Sequence, residues 1–280
     1  LPHINGVVTH VKILKDGLEQ LGHQVLVVTA DAAAQHHYVE NGILHCPAHT
    51  SKKFYNYSLS LPISSTRVKF VREFAPDVIH IHNEFGIGMS GLLCAKILRV
   101  PLVYTLHTMY DDYIYYVAPK PLVKAATDFS HHYFKFIAKH SNALTGPSKK
   151  CQEYFRLTGL KKDVSVIPNA VEVDRFSPYL VDDSVKTALR RKYGIDDGVM
   201  VACFVGRLGR EKSVDVLLDY WKEAISPADR IHLMVIGDGP VRPELEQQAA
   251  ALGITDMVTF TGRVEHQDLP PYYALCDVYV

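Results

Sequence analysis

Between Val199 and Lys212 an apolar run, Val-Met-Val-Ala-Cys-Phe-Val, passes directly into Gly-Arg-Leu-Gly-Arg-Glu-Lys, and a helical pattern follows at once. A buried strand that ends in a glycine turn and hands over to a helix is the unit from which parallel α/β sheets are built. The carboxyl ends of such strands open onto the ligand crevice. Arg207 and Lys212 are therefore expected beside a helix N-terminus, where two cations suit a diphosphate. Taken alone, the stretch reads equally well as an exposed basic loop.

The same unit recurs along the chain. Val7, Val11, Leu14, Leu18 and Leu21 follow steps of four and three, the stripe of an amphipathic helix that stops at Gly22. Strands are expected at 24–29, 77–82, 102–106, 143–145 and 164–167, with helices ending near Leu98, spanning about 121–141, and starting after Ser148 as cap. A second run predicts strands at 199–205, 231–236, 258–261 and 277–280, separated by helices at about 213–224, 240–252 and 268–275, with Pro240 in a first turn. Between the runs, residues 172–184 lack periodicity and carry Pro178 and several Asp, as an interdomain linker does. The expected fold class is α/β, with two Rossmann-like domains of parallel sheet over residues 1–178 and 179–280. The chain begins without Met and ends inside a strand, so a fragment cut at both ends is expected, its second domain incomplete.

Composition excludes several classes. Of 280 residues 48% are hydrophobic, enough for two cores, yet no apolar run approaches the roughly 20 residues that span a bilayer. No stretch has a signal-peptide pattern. Five scattered cysteines (Cys46, Cys94, Cys151, Cys203, Cys276) read as reduced core thiols of a cytosolic protein. The net charge of zero hides 19 Lys and Arg against 14 Asp and Glu in residues 1–178, and 11 against 16 in the remainder. A basic first half can lean on an anionic membrane, although a chance excess is as good a reading; no nucleic-acid partner is expected. Fifteen histidines are dispersed, and His36-His37 and His131-His132 lack zinc-site spacing, so no metal site is expected. There is no nucleophile elbow, P-loop, His-Glu-x-x-His or Gly-x-Gly-x-x-Gly.

Three successive strands of the second half end in glycine turns, at Gly206-Arg207, Ile236-Gly237-Asp-Gly239 and Thr261-Gly262-Arg263, and parallel strands would gather them on one edge. Each alone is as readily a tight turn without a ligand. In the first half Gly6 precedes a helix, where it can admit a phosphate or sugar. His107 lies just past the strand at 102–106 and can hydrogen-bond a sugar hydroxyl or stabilise charge, against a purely structural role. Glu84 follows the strand at 77–82, placed to bind acceptor hydroxyls or simply to be a solvated loop charge. The stretch 121–141 mixes Lys124, Lys135 and Lys139 with Phe129, Tyr133, Phe134 and Phe136, preceded by Lys120. That is the composition of a membrane-interface helix or of a core helix with a solvated lysine face.

Asn5-Gly6-Val7, Pro76-Asp77-Val-Ile-His80, Leu106-His107-Thr108, Ile167-Pro-Asn169 with Arg175-Phe176, Val205-Gly-Arg207 with Glu211-Lys212, Ile236-Gly-Asp-Gly239 and Phe260-Thr-Gly262 together resemble the family 4 retaining glycosyltransferases of GT-B fold. Glu84-Phe85 with Gly88, and the run from His107 to Tyr113, resemble its bacterial diacylglycerol glucosyltransferases. The resemblance implies two Rossmann-like domains facing a cleft, the first on the acceptor side and the second binding the nucleotide sugar. It implies that Arg207 and Lys212 hold the donor diphosphate, that Gly6 lies by its phosphates, and that His107 touches the transferred sugar. Gly237 and Gly262, with Arg263 beside them, would line the nucleotide pocket. It further implies a Glu-x7-Glu motif after the strand at 277–280, beyond Val280, so the fragment itself is expected to be inactive.

The activity so implied is retaining, metal-independent transfer of a hexose, glucose from UDP-glucose, to a diacylglycerol-type lipid at the cytoplasmic membrane face. No cofactor beyond the donor substrate is expected. Mannosyl transfer, another acceptor, or a non-catalytic sugar-nucleotide or glycolipid-binding module are the alternatives.

Overall fold

Alternation of strand and helix organises both halves of the chain. The computed structural model describes residues 6–51, 57–112, 114 and 119–280. Its contacts divide the chain into Leu1–Ala170 and Val171–Val280. Asn5 and Tyr113, which belong to motifs quoted above, lie outside the described residues.

In the first unit the stripe from Val7 to Leu18 forms α1 (Gly6–Gln20), which ends at a turn with Gly22 in the left-handed region, φ +88°. A four-stranded sheet follows in the order β6 (Ile79–Ile81), β7 (Leu102–Thr105), β8 (Ala143–Gly146), β9 (Ser165–Val166), all parallel. The crossovers are α3 (Ile87–Leu98), α4 (Val123–His140) and α5 (Lys149–Leu157). Ser148 sits at the N-cap of α5 as expected, but its side chain makes no capping hydrogen bond. Leu92, Leu102, Tyr104, Leu106, Phe134, Ile137, Leu144 and Phe155 form the core between sheet and helices, each no more than 2% exposed.

Residues 30–76 carry no clear period, and here the structure adds elements that sequence did not predict. β1 (Val27–Asp31) pairs parallel with β3 (Ile43–Pro47), which pairs antiparallel with β2 (Tyr38–Glu40). β4 (His49–Ser51) and β5 (Tyr57–Leu59) form a second small sheet, and α2 (Ser65–Phe74) follows, capped by Ser64, which accepts from the Arg67 N–H. Strands of three to five residues show too few alternations to stand out from a loop. The first strand also starts later than the apolar run suggests, because its pairing with β3 runs from Val27 opposite Ile43 to Asp31 opposite Pro47.

The second unit begins earlier than the expected boundary at 178. The Phe176 ring packs edge-on against His266 and Tyr273, at 5.3 and 5.5 Å between centroids, and the short turn Pro178–Leu180 lies against a helix of this unit. The linker expected at 172–184 is thus part of a domain. Asp182 caps α6 (Asp183–Lys192), accepting from Ser184 N–H at 2.7 Å.

The sheet of this unit has the order β12 (Val258–Gly262), β11 (Ile231–Ile236), β10 (Met200–Val205), β13 (Val278–Tyr279), all parallel. Its helices are α7 (Val214–Ala224), α8 (Arg242–Ala251) and α9 (Pro270–Leu275). In α8 it is Pro243, not Pro240, that takes the first turn. β11 is central and alternates faces: Leu233 and Val235 join Leu208, Leu218, Trp221 and Leu245, whereas Met234 and Ile236 join Val201, Cys203, Tyr272 and Leu275. Burial on both faces explains the apolar run Leu233–Ile236, and the one polar residue of the strand, His232, is paired with Thr259 at 2.8 Å. Four of the five cysteines are buried and all are free thiols.

Candidate active site

The parallel order of the second sheet carries the three glycine turns to one edge, as the sequence predicts. They interlock through backbone. Gly206 N–H donates to Ile236 O at 3.0 Å, Leu208 N–H to Asp238 O at 3.0 Å, and Gly237 N–H to Gly262 O at 3.1 Å. Gly237 has φ +143°, and a Cβ there would stand 1.9 Å from Gly206 O; a Cβ on Gly239 would stand 2.2 Å from Leu208 O. These two glycines are therefore required by the approach of one turn to the next, independent of any ligand. Gly262 closes the same lattice as the last residue of β12.

Arg207 leaves this edge and its Nη2 donates to Glu211 Oε1 at 2.6 Å; Glu211 is almost buried, whereas Arg207 stays 45% exposed. A guanidinium carries five N–H donors in a fixed fork, so anchoring one of them fixes the orientation of the whole plane. Glu211, quoted above only as part of a motif, is thus a positioning residue for Arg207. Lys212 is exposed in the single turn Arg210–Lys212 that precedes α7. Arg263, just past β12, is exposed and paired with Glu265 at 2.9 Å.

In the first unit, strand alternation places His80 and His82 on one face and Ile79 and Ile81 on the other, where Ile81 joins the core. His82 Nδ1 lies 3.0 Å from Nε2 of His107, which follows the neighbouring strand β7. His10 of α1 closes the group, its ring centroid 4.9 Å from that of His107 and 5.5 Å from that of His82. Burial, reinforced by repulsion among the rings, lowers the pKa of His107 to about 4 and of His82 to about 2. Burial likewise lowers His10. His107 is therefore neutral near pH 7, suited to hydrogen-bonding a sugar hydroxyl and unable to offer a positive charge. Each of His10, His82 and His107 brings one ring nitrogen within 4.8 Å of the other two, so this group, which sequence spacing did not reveal, has the geometry to hold a cation. His-x-His at the end of a strand was the one visible signal. Gly6 is the exposed first residue of α1, with open space around a Cβ position.

Glu84 is not the solvated loop charge that the sequence allows. It is 2% exposed, accepts from Tyr104 Oη at 2.8 Å and Tyr110 Oη at 2.5 Å, and its backbone carbonyl accepts from Tyr133 Oη at 2.6 Å. Burial raises its pKa to about 7 against the lowering effect of the two tyrosine hydrogen bonds. Asp111 is likewise engaged, receiving hydrogen bonds from His131 at 2.8 Å and Tyr154 at 3.1 Å.

The aromatic side chains of α4 divide. Phe134 is fully buried, and Tyr133 stacks on Phe85 at 5.3 Å, but Phe129 is 69% and Phe136 43% exposed. Leu122, just before the helix, is exposed between exposed Lys120 and Lys124, while Lys135 is half-buried. No helix among the described residues is long and apolar enough to cross a membrane.

Residues 4–175 match the family model described as Glycosyltransferase Family 4, and residues 185–280 the model described as Glycosyl transferases group 1. The chain is 28% identical over 280 residues to the alpha-monoglucosyldiacylglycerol synthase of Streptococcus pneumoniae, covering all of this chain and 63% of that protein. It is 32% identical over 291 residues to the protein of the same name from Acholeplasma laidlawii, covering 100% and 71%. A GDP-mannose-dependent alpha-mannosyltransferase of Corynebacterium glutamicum is 26% identical over 284 residues, covering 100% and 64%. The chain thus spans less than two thirds of the pneumococcal and corynebacterial proteins. Among solved structures, sucrose-phosphate synthase from Thermosynechococcus elongatus superposes with TM-score 0.70 at 17% identity, over 98% of this chain and 69% of that one. Anabaena HepE in complex with UDP and glucose gives 0.62 at 22%, over 77% and 54%. These likenesses show the α/β fold to be that of the GT-B glycosyltransferases. With one family model spanning residues 4–175 and a relative 32% identical along the entire chain, this chain belongs to glycosyltransferase family 4.

Proposed function

We propose that the whole protein is a retaining, metal-independent glycosyltransferase that moves glucose from UDP-glucose to a diacylglycerol-type lipid, acting as a peripheral protein at the cytoplasmic face of the membrane. The observation that carries this reading is the edge of the second sheet, where Arg207, oriented by Glu211, and Lys212 stand beside three interlocked glycine turns. Negative charge grows on the diphosphate as the sugar–phosphate bond breaks. Cations already in place stabilise that charge more than they stabilise the ground state. They supply the charge that a divalent metal would otherwise bring. Neutral His107 hydrogen-bonds the transferred sugar, and Gly6 leaves the start of α1 open to a phosphate. Retention follows from front-face attack by the lipid hydroxyl, with the leaving phosphate as its base.

Glucose and diacylglycerol are chosen because two relatives matching along this entire chain are named alpha-monoglucosyldiacylglycerol synthase. An alpha-glucoside made from the alpha-linked UDP-glucose is the retained product. The mannosyltransferase relatives favour a second reading, with GDP-mannose as donor. The test supplies the whole protein with either sugar nucleotide, diacylglycerol in anionic vesicles, and EDTA. The expected product is an alpha-glucosyl lipid formed at an undiminished rate. Mannosyl transfer alone would select the second reading, and activity abolished by EDTA and restored by Mg²⁺ would refute metal independence.

A further inference from the structure

Three histidines arrive at one place from three separate segments: His10 from α1, His82 from the end of β6 and His107 from the end of β7. From this geometry we infer that they form a binding site for a borderline d-block dication, Zn²⁺ above all, whose occupation withdraws His107 from the sugar and inhibits transfer. The inhibition rests on the function proposed above, whereas the binding does not.

Zn–N distances of about 2.0–2.1 Å in a tetrahedral site place the ligand nitrogens about 3.3 Å apart. His82 Nδ1 and His107 Nε2 already lie 3.0 Å apart, and all three ligand atoms fall within 4.8 Å. Small rotations of the His10 ring would complete a triangle of nitrogens. Three imidazoles with an open fourth position suit Zn²⁺, Co²⁺, Ni²⁺ or Cu²⁺, and no oxygen ligand is present in the triad to favour Mg²⁺ or Ca²⁺. The scaffold is rigid where it counts, because β6 and β7 are paired in parallel register from Ile79 opposite Leu102 to Ile81 opposite Tyr104. All three rings are half-buried, so a cation can enter while the site stays partly screened from water. A cation bound there replaces the His82–His107 hydrogen bond and pins the His107 ring by its Nε2, so the ring can no longer turn to meet a sugar hydroxyl.

Co²⁺ is the probe for binding, because its visible d–d absorption is far stronger in four-coordinate than in six-coordinate geometry. Metal-stripped whole protein titrated with Co²⁺ should develop the four-coordinate band at one equivalent, lose it to Zn²⁺, and keep it in excess Mg²⁺. His10→Gln and His82→Gln, each confirmed as folded by circular dichroism, should weaken binding by at least the roughly 100-fold that marks the upper range for losing an outer-shell partner. The two variants guard against a fold defect in either one. An absent band in wild type, or equal binding by folded variants, would overturn the site. In the transfer assay, Zn²⁺ inhibition measured against each protein's own metal-free rate should weaken by the same factor in His10→Gln. Unchanged inhibition would overturn the link to His107. A protein inactive even without metal would overturn the proposed function while the Co²⁺ spectrum still decides the site.

Discussion

At the scale of single residues, charge and burial divide the labour. Arg207 and Lys212 are cations at a sheet edge, and replacing either with Ala in the whole protein should lower kcat by roughly 100-fold, the cost of one transition-state charge contact. Steady-state kinetics with UDP-glucose checks this, and near-normal turnover in both variants would remove their assigned role. Glu84 is a carboxyl whose proton folding favours. Its pKa is raised from 4.5 to about 7, so its stabilising contribution is full below pH 4.5 and is lost as pH rises through 7. Between pH 4.5 and 8 the stability of Glu84→Gln relative to wild type should shift in the variant's favour by about 3 kcal/mol, read from denaturant melts. A difference that stays flat over this range would contradict the buried, protonated carboxyl. The same hydrogen bonds to Tyr104 and Tyr110 make Glu84 a lock on the loop after β6.

At the scale of elements, the turns after β10 and β11 show how a motif can be structural first. Gly237→Ala would force a Cβ into Gly206 O at 1.9 Å with φ +143°, so it should destabilise the second unit by more than about 2 kcal/mol. Thermal melts check this, and an unchanged melt would mean that the turn yields freely. The helix α4 carries two jobs on two faces. Phe134 is fully buried, and Phe134→Ala should cost about 3–5 kcal/mol; Phe129 is 69% exposed, and Phe129→Ala should leave stability nearly unchanged while weakening binding to vesicles. Cosedimentation should rise with anionic lipid through Lys120 and Lys124 and fall with salt, since headgroup attraction is screened over about 8 Å in physiological buffer. Binding indifferent to lipid charge, salt and Phe129 would leave this face without a membrane role.

At the scale of the whole molecule, the most strongly lowered histidines lie in the first unit. His82 and His107 have pKa values lowered from 6.5 to about 2 and about 4, so their stabilising contribution is complete above pH 6.5 and is lost as pH falls through that value toward the folded ones. At pH 5 each costs on the order of 2 kcal/mol, because the unfolded imidazoles gain protons that the folded ones refuse. Glu84 acts in the opposite sense and offsets about half of this loss, so the stability of this unit should peak near neutrality and fall by about 2 kcal/mol on acidification to pH 5. Urea melts at pH 5, 7 and 8, followed by a probe in the first unit, check the shape. A maximum at pH 5 would contradict the neutral histidine group. His80, although crowded by the same rings, is exposed and contributes less.

The sequence by itself determined the α/β class, the order of most strands and helices, and the convergence of Gly206-Arg207, Gly237 and Gly262 on one edge. Long apolar runs, helical stripes and glycine turns are local signals, and parallel strands leave only one side for the turns that follow them. The tertiary structure alone decided what those signals could not carry. Short antiparallel strands within residues 30–76 exist only through their partners, and Phe176 assigns the supposed linker to the second unit by packing against His266 and Tyr273. Glu84 reads as a loop charge until Tyr104, Tyr110 and Tyr133 are brought around it, and His10, His82 and His107, 72 and 25 residues apart in turn, become one group only when α1 meets the ends of β6 and β7. Contacts between residues far apart in the chain are set by how elements pack, and no local pattern in the sequence records that distance.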